Sequence, residues 1–174
     1  MRLPLYIFLF LALGFTSCAQ KSIPAVLQKL NNNTVEYIAV EDLKAMDTLF
    51  PFLLDARERD EFEVSHLKNS IWVGYKTFDI DKVLETLPNK DVPIVVYCSL
   101  GVRSEDIGEK LEKAGFTHVK NLYGGIFEWK NKGYPVYNSN QKETEKVHAY
   151  SKYWSGFLTN AEKVYSSKTT TVEQ

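Results

Sequence analysis

Val92-Pro93-Ile94-Val95-Val96-Tyr97-Cys98-Ser99-Leu100-Gly101-Val102-Arg103-Ser104 carries the reading of the whole chain. Its first six residues are apolar and rich in β-branched side chains, which predicts a buried strand. Pro88-Asn89-Lys90-Asp91 supplies the turn before it. Cys98 stands where that strand ends. A helix is predicted over residues 104–114, with Ile107, Leu111 and Ala114 on one face and Gly115 as its stop. A short loop between a strand and a helix can turn several backbone N–H groups toward one centre. The helix N-terminus and Arg103 add positive charge there, and Gly101 permits a tight curl. All of these favour thiolate over thiol, and thiolate is the nucleophilic form of cysteine. Glu105 and Asp106 oppose that effect if they face the sulfur.

Outward from this stretch, apolar runs alternate with helical patterns. Val35-Glu36-Tyr37-Ile38, Phe50-Pro51-Phe52-Leu53-Leu54, Ile71-Trp72-Val73 and His118-Val119-Lys120-Asn121-Leu122 read as strands. Helices are predicted over residues 41–46, 58–64, 81–87 and 126–132, the last opened by a tight Gly124-Gly125 turn. This alternation predicts an α/β fold with a mainly parallel central sheet and helices on both faces. In such sheets, sites form beyond the carboxyl ends of the strands. Asp55 and Arg57 fall at one such end and Cys98 at another.

Three segments, in matching order over residues 35–136, resemble the rhodanese domains. Leu54-Asp55-Ala56-Arg57-Glu58-Arg59-Asp60-Glu61-Phe62, followed by Ser65-His66-Leu67, is similar to their first signature. Residues 95–104 resemble their active-site strand and loop, and Gly124-Gly125-Ile126-Phe127-Glu128-Trp129 resembles their closing motif. The resemblance implies a rhodanese-like fold and a sulfurtransferase that needs no metal or organic cofactor. It implies that Cys98 is the nucleophile that carries sulfane sulfur as a persulfide. Arg103 is then the loop arginine balancing the anionic donor, and Asp55 and Arg57 are the pair bracing the loop. Backbone amides across Ser99, Leu100, Gly101, Val102 and Arg103 would cradle the sulfur. A small sulfur donor such as thiosulfate or a polysulfide, and a thiol acceptor, are the implied partners. Ser99 stands where many small thiosulfate-using relatives carry a basic residue, and Leu100 makes the rim more apolar. Ser65 and Asn69 replace glycines of the pattern. Tyrosine phosphatases also use a cysteine–arginine loop, but with one residue more; the six-residue loop here suits sulfur rather than phosphate.

The remaining features bound the function. The 21 Lys and Arg nearly balance the 22 Asp and Glu, so no nucleic-acid partner is expected. His66, His118 and His148 show no ligand spacing, and no metal site is predicted. His66 reads as a structural turn residue, and Trp72 and Trp129 as packing. Residues 1–17 read as a signal peptide: a basic start, a short apolar run and small residues at its end. Phe15-Thr16-Ser17-Cys18 resembles the bacterial lipoprotein processing box, with Cys18 as the lipidated residue. That predicts an exported protein, periplasmic or on the outer surface, anchored to a membrane through Cys18. Of the two cysteines, Cys98 is then the one thiol retained. Residues 18–33 are expected to be a tether with one short helical turn, and residues 34–137 the domain. The remainder, 138–174, is expected to be a linker, an amphipathic helix over 147–165 and a tail. That helix is expected to dock on the domain or to bind a protein partner or membrane surface. Two classes of function follow: an enzyme moving sulfane sulfur through Cys98, or a non-catalytic module that binds a partner or anion or senses sulfide.

Overall fold

The structure is a computed structural model and describes residues 22–46 and 51–165. The predicted signal segment and Cys18 lie outside the described residues, as do residues 166–174. Along the chain come α1 (Ile23–Leu30), β1 (Glu36–Ile38), α2 (Val40–Ala45), β2 (Phe52–Asp55), α3 (Arg59–Val64), β3 (Ile71–Trp72), α4 (Ile80–Thr86), β4 (Ile94–Tyr97), α5 (Val102–Lys113), β5 (Val119–Leu122) and α6 (Gly125–Asn131). The five strands form one sheet in the order β1-β5-β4-β2-β3, with every pair parallel. Register places Leu54 opposite Val96 and Asp55 opposite Tyr97. This is the expected α/β architecture.

Strand β4 shows why. All four of its residues are buried, and their side chains alternate between two apolar clusters. Val95 and Tyr97 join Ile38, Leu43, Leu122, Ile126 and Phe127 on one side of the sheet. Ile94 and Val96 join Leu54, Val83, Ile107 and Leu111 on the other. Ile107 and Leu111 are fully buried, and each contributes roughly 1.5–3 kcal/mol by leaving water. Local signals set the helix ends. Glu58 and Glu61 form a reciprocal capping box on α3, and the Asp79 carboxylate accepts from Asp81 N at the start of α4. Asn69 supplies a left-handed turn at φ +60° where the family pattern has glycine, a conformation that asparagine tolerates.

Three expectations need correction. Helix α5 starts at Val102 rather than near Ser104, because Gly101 at φ +112° turns the chain one residue after Leu100. Arg103 therefore sits on the first helical turn. In the expected tether, the described residues 22–33 hold more than one helical turn. Helix α1 is capped by the Ser22 hydroxyl and packs Ile23 and Val26 on the core, because its apolar residues fall on one face. The third correction concerns the predicted helix over 147–165.

That segment returns to the domain in another form. A hairpin of β6 (Val136–Tyr137) and β7 (Glu143–Thr144) replaces the expected linker. Then β8 (Lys146–His148) pairs in parallel with β9 (Glu162–Val164) around a 3₁₀ turn at Trp154–Phe157. Val147, Ala149, Phe157 and Leu158 are core residues, which satisfies the apolar spacing without a helix. Gly156 and the Ser-, Thr- and Asn-rich stretches are poor helix formers. Asn131 of α6 satisfies the backbone instead, donating to Phe157 O and accepting from Thr159 N and Asn160 N.

Candidate active site

Cys98 follows the last residue of β4 and is almost fully buried. The amide of Gly101 donates to its Sγ at 3.1 Å. Two side-chain amides hold that curl in place: Asn31 Nδ2 and Asn121 Nδ2 each donate to Gly101 O at 2.8 Å. The Ser104 hydroxyl donates to Asn121 Oδ1 at 2.7 Å, which ties the start of α5 to β5 behind the sulfur.

Burial alone pushes the Cys98 thiol up. The charge of Arg103, with the nearby Ser104 and the Gly101 amide, outweighs it, so the pKa falls below the ordinary thiol value. The Glu105 carboxylate turns away from the sulfur and accepts from the amides of Asn32 and Thr34. Asp106 accepts from the Tyr75 hydroxyl.

Arg103 is held as well as charged. Its Nη1 and Nη2 donate to Glu61 Oε2 and Oε1 at 2.6 and 2.9 Å, and Nη2 also reaches Ser99 Oγ at 3.0 Å. Ser99 Oγ donates in turn to Glu61 Oε1 at 3.1 Å. Burial raises the Glu61 pKa, but the bonds and charge of Arg103, with the charge of Arg57, hold it below the usual carboxylate range. Glu61 is the site residue that reading the motifs left without a role. Its own signal was the Glu61-Phe62 pair inside the first signature.

Asp55 and Arg57 lie deeper. Arg57 Nε and Nη2 donate to the Asp55 carboxylate at 2.9 and 2.6 Å, and both side chains are fully buried. Arg57 Nη2 also donates to Ser65 O at 2.6 Å. These bonds bind each residue to the other and to the α3 terminus; Arg57 also lies over the ring of Tyr97, the residue before Cys98, and its charge acts on Glu61. Leu100 is buried and Val102 half-buried, both at the mouth. His66 stacks on Phe62 and places Nδ1 3.1 Å from Phe62 O, and burial lowers its pKa. It packs the turn, as expected. Trp72 and Trp129 each donate to a backbone carbonyl, Arg57 O and Pro135 O.

The closing Gly-Gly turn holds the loop from behind. Ile126 N donates to Cys98 O at 2.9 Å and Phe127 N to Ser99 O at 3.1 Å. Gly125 lies at φ +55°, and a Cβ there would run into Cys98 O and lie 2.8 Å from the Ser99 carbonyl carbon and oxygen. Gly125→Ala is expected to cost about 2–4 kcal/mol from backbone strain and overpacking. It should also displace the cysteine loop. Urea unfolding reads the first effect and the alkylation rate of Cys98 the second; unchanged values for both would sink this account.

The model of the family described as the rhodanese-like domain matches residues 39–132. The chain belongs to the rhodanese-like domain family. It is 38% identical over 116 residues to the tRNA uridine(34) hydroxylase of Photorhabdus laumondii, covering 60% of this chain and 32% of that one. The chain thus spans about a third of the length of that relative. The solution structure of a rhodanese-like domain from Anabaena is similar at 26% identity and a TM-score of 0.53, covering 59% of this chain and 78% of that one. The thiosulfate sulfurtransferase of Pseudomonas aeruginosa shares the fold, with a TM-score of 0.57 at 22% identity over 78% of this chain and 25% of that one.

Proposed function

We propose that this protein is a sulfurtransferase that carries sulfane sulfur on Cys98. The observation that supports it most is the sulfur itself: a thiol of lowered pKa under the Gly101 amide, in a loop pinned by Asn31, Asn121 and the start of α6. The Cys98 thiolate attacks the outer sulfur of a donor and forms a new S–S bond. With thiosulfate, the old S–S bond breaks and its electron pair leaves with sulfite. A thiolate acceptor then attacks the outer sulfur of the persulfide and releases the Cys98 thiolate. The amides around Sγ are placed to stabilise negative charge both before and after transfer. The reading includes no nucleic-acid partner, since near-balanced charge gives no general attraction to a polyanion.

Intact-protein mass spectrometry after thiosulfate, and separately after inorganic polysulfide, tests the proposal. A gain of one sulfur atom, reversed by a thiol and absent from Cys98→Ser, is the expected result. No gain from either donor by a folded protein with a free thiol favours a binding module instead.

A further inference from the structure

A recess of about 140 Å³ opens over Cys98, lined by Ser99, Leu100, Val102, Arg103, Tyr150 and Trp154. Tyr150 and Trp154 lie in the extension that follows residue 132, where the family match ends. The extension places them firmly. Ala149 N donates to Val164 O, Tyr150 N donates to His148 Nδ1, and the Trp154 ring packs against Phe157 in the core. Tyr150 adopts φ +61°, a conformation unfavourable for a bulky side chain, and remains half-exposed. Packing in the core therefore does not account for it. What it does cover is Arg103, whose Cζ lies 4.9 Å from the Tyr150 ring centroid.

The charge of the recess points the same way. Arg103 is its one cationic lining residue among those described, and both terminal nitrogens are held by Glu61, which is itself 1% exposed. A dianion that drew Arg103 away would leave the buried Glu61 carboxylate without its cation, held only by the Ser99 hydroxyl and the Glu58 amide. Leu100, Val102, Tyr150 and Trp154 instead offer apolar and aromatic surface.

We propose that Tyr150 and Trp154 are specificity-determining residues, selecting a sulfur donor or acceptor whose thiol carries an uncharged, apolar organic group. The inference rests on the persulfide reading of Cys98. In the loading direction, the Cys98 thiolate attacks the outer sulfur of an organic persulfide, R–S–SH. The bond from Cys98 Sγ to that sulfur forms, the donor's S–S bond breaks, and R–S⁻ leaves with its electron pair and takes up a proton from water. In the unloading direction, R–S⁻ attacks the outer sulfur of the Cys98 persulfide and restores the thiolate. The R group lies along Tyr150 and Trp154 in both.

The full chain, loaded with inorganic polysulfide, is discharged by benzyl mercaptan or by 2-mercaptoethanesulfonate, and loss of the added sulfur is followed by intact mass. Benzyl mercaptan is expected to react at least about tenfold faster, the scale of discrimination an apolar pocket provides. In Tyr150→Asn, which keeps a residue tolerant of positive φ, and in Trp154→Ala, that ratio should fall toward one. Trp154→Phe should retain most of it. Should Trp154→Ala fail to fold, the half-exposed Tyr150 position carries the test. A wild-type ratio near one, or a ratio unchanged in Tyr150→Asn, overturns the proposal while the persulfide reading stands. No sulfur on Cys98 from any donor overturns both.

Discussion

Arg57→Leu is expected to lower folding stability by about 3–5 kcal/mol, the cost of leaving one member of a buried ion pair alone. Asp55 and Arg57 are both 0% exposed, and Asp55 would keep only the Arg57 amide at 3.0 Å among the arginine's bonds to it. Ser65 O would lose its donor as well. For a chain of this size the melting temperature should fall by roughly 6–20 °C. Arg57→Lys should recover part of the loss, since it restores charge but not the planar fork. The double variant Asp55→Asn with Arg57→Leu should be more stable than Arg57→Leu alone, because no ionised group is then left stranded. Thermal and urea unfolding of the three variants check this order. A double variant no better than the single one would mean that packing, not charge, sets the cost.

Arg103→Met should act on two groups at once. It removes the main charge that offsets burial at Cys98, so the thiol pKa should rise above its ordinary value. Each unit of rise lowers the thiolate fraction tenfold at neutral pH, and sulfur uptake at pH 7 should drop at least about tenfold. Alkylation of Cys98 across pH reads the shift directly. Glu61 responds in the opposite range. In the wild type it is held below the usual carboxylate value, so its ionisation supports folding above about pH 4, and that support fades as pH falls through the lowered value. Without Arg103, burial dominates and the carboxyl is pushed up. Its share of stability is then present in acid and lost as pH rises through the raised value. The stability gap between wild type and variant should therefore be widest at neutral pH and narrow in acid. Adding Glu61→Gln to Arg103→Met should restore stability without restoring the thiol. A rescue of both by Glu61→Gln would count against the role given to Arg103.

What the amino-acid order made legible follows from how local each signal is. Residues 94–97 and 52–55 read as strands because apolar side chains crowd them, β-branched in the first; the sheet buries all of 94–97 and the end of 52–55. The loop from Cys98 to Arg103 was legible because its cysteine, glycine and arginine stand within six residues. The partner of Arg103 was not, since Glu61 lies 42 positions earlier and meets it only when α3 and α5 flank one end of the sheet. Asn31 and Asn121 converge on Gly101 from 70 and 20 positions away for the same reason. The extension misled for a different cause. Apolar residues three or four apart fit a helix, yet here they fall on two strands and a 3₁₀ turn, and the left-handed backbone at Tyr150 leaves no mark in residue type.

The strand order also sets a schedule for synthesis. Glu36 pairs with Lys120, so β1, the first strand made, finds its sheet partner only after 84 more residues have followed it. Strands β2, β3 and β4 are all made before β5, the neighbour that β1 needs. Trp154 and Val164 emerge later still. Synthesis therefore delivers Cys98 well before Tyr150 and Trp154, so the recess over the sulfur can be complete only once the extension has been made.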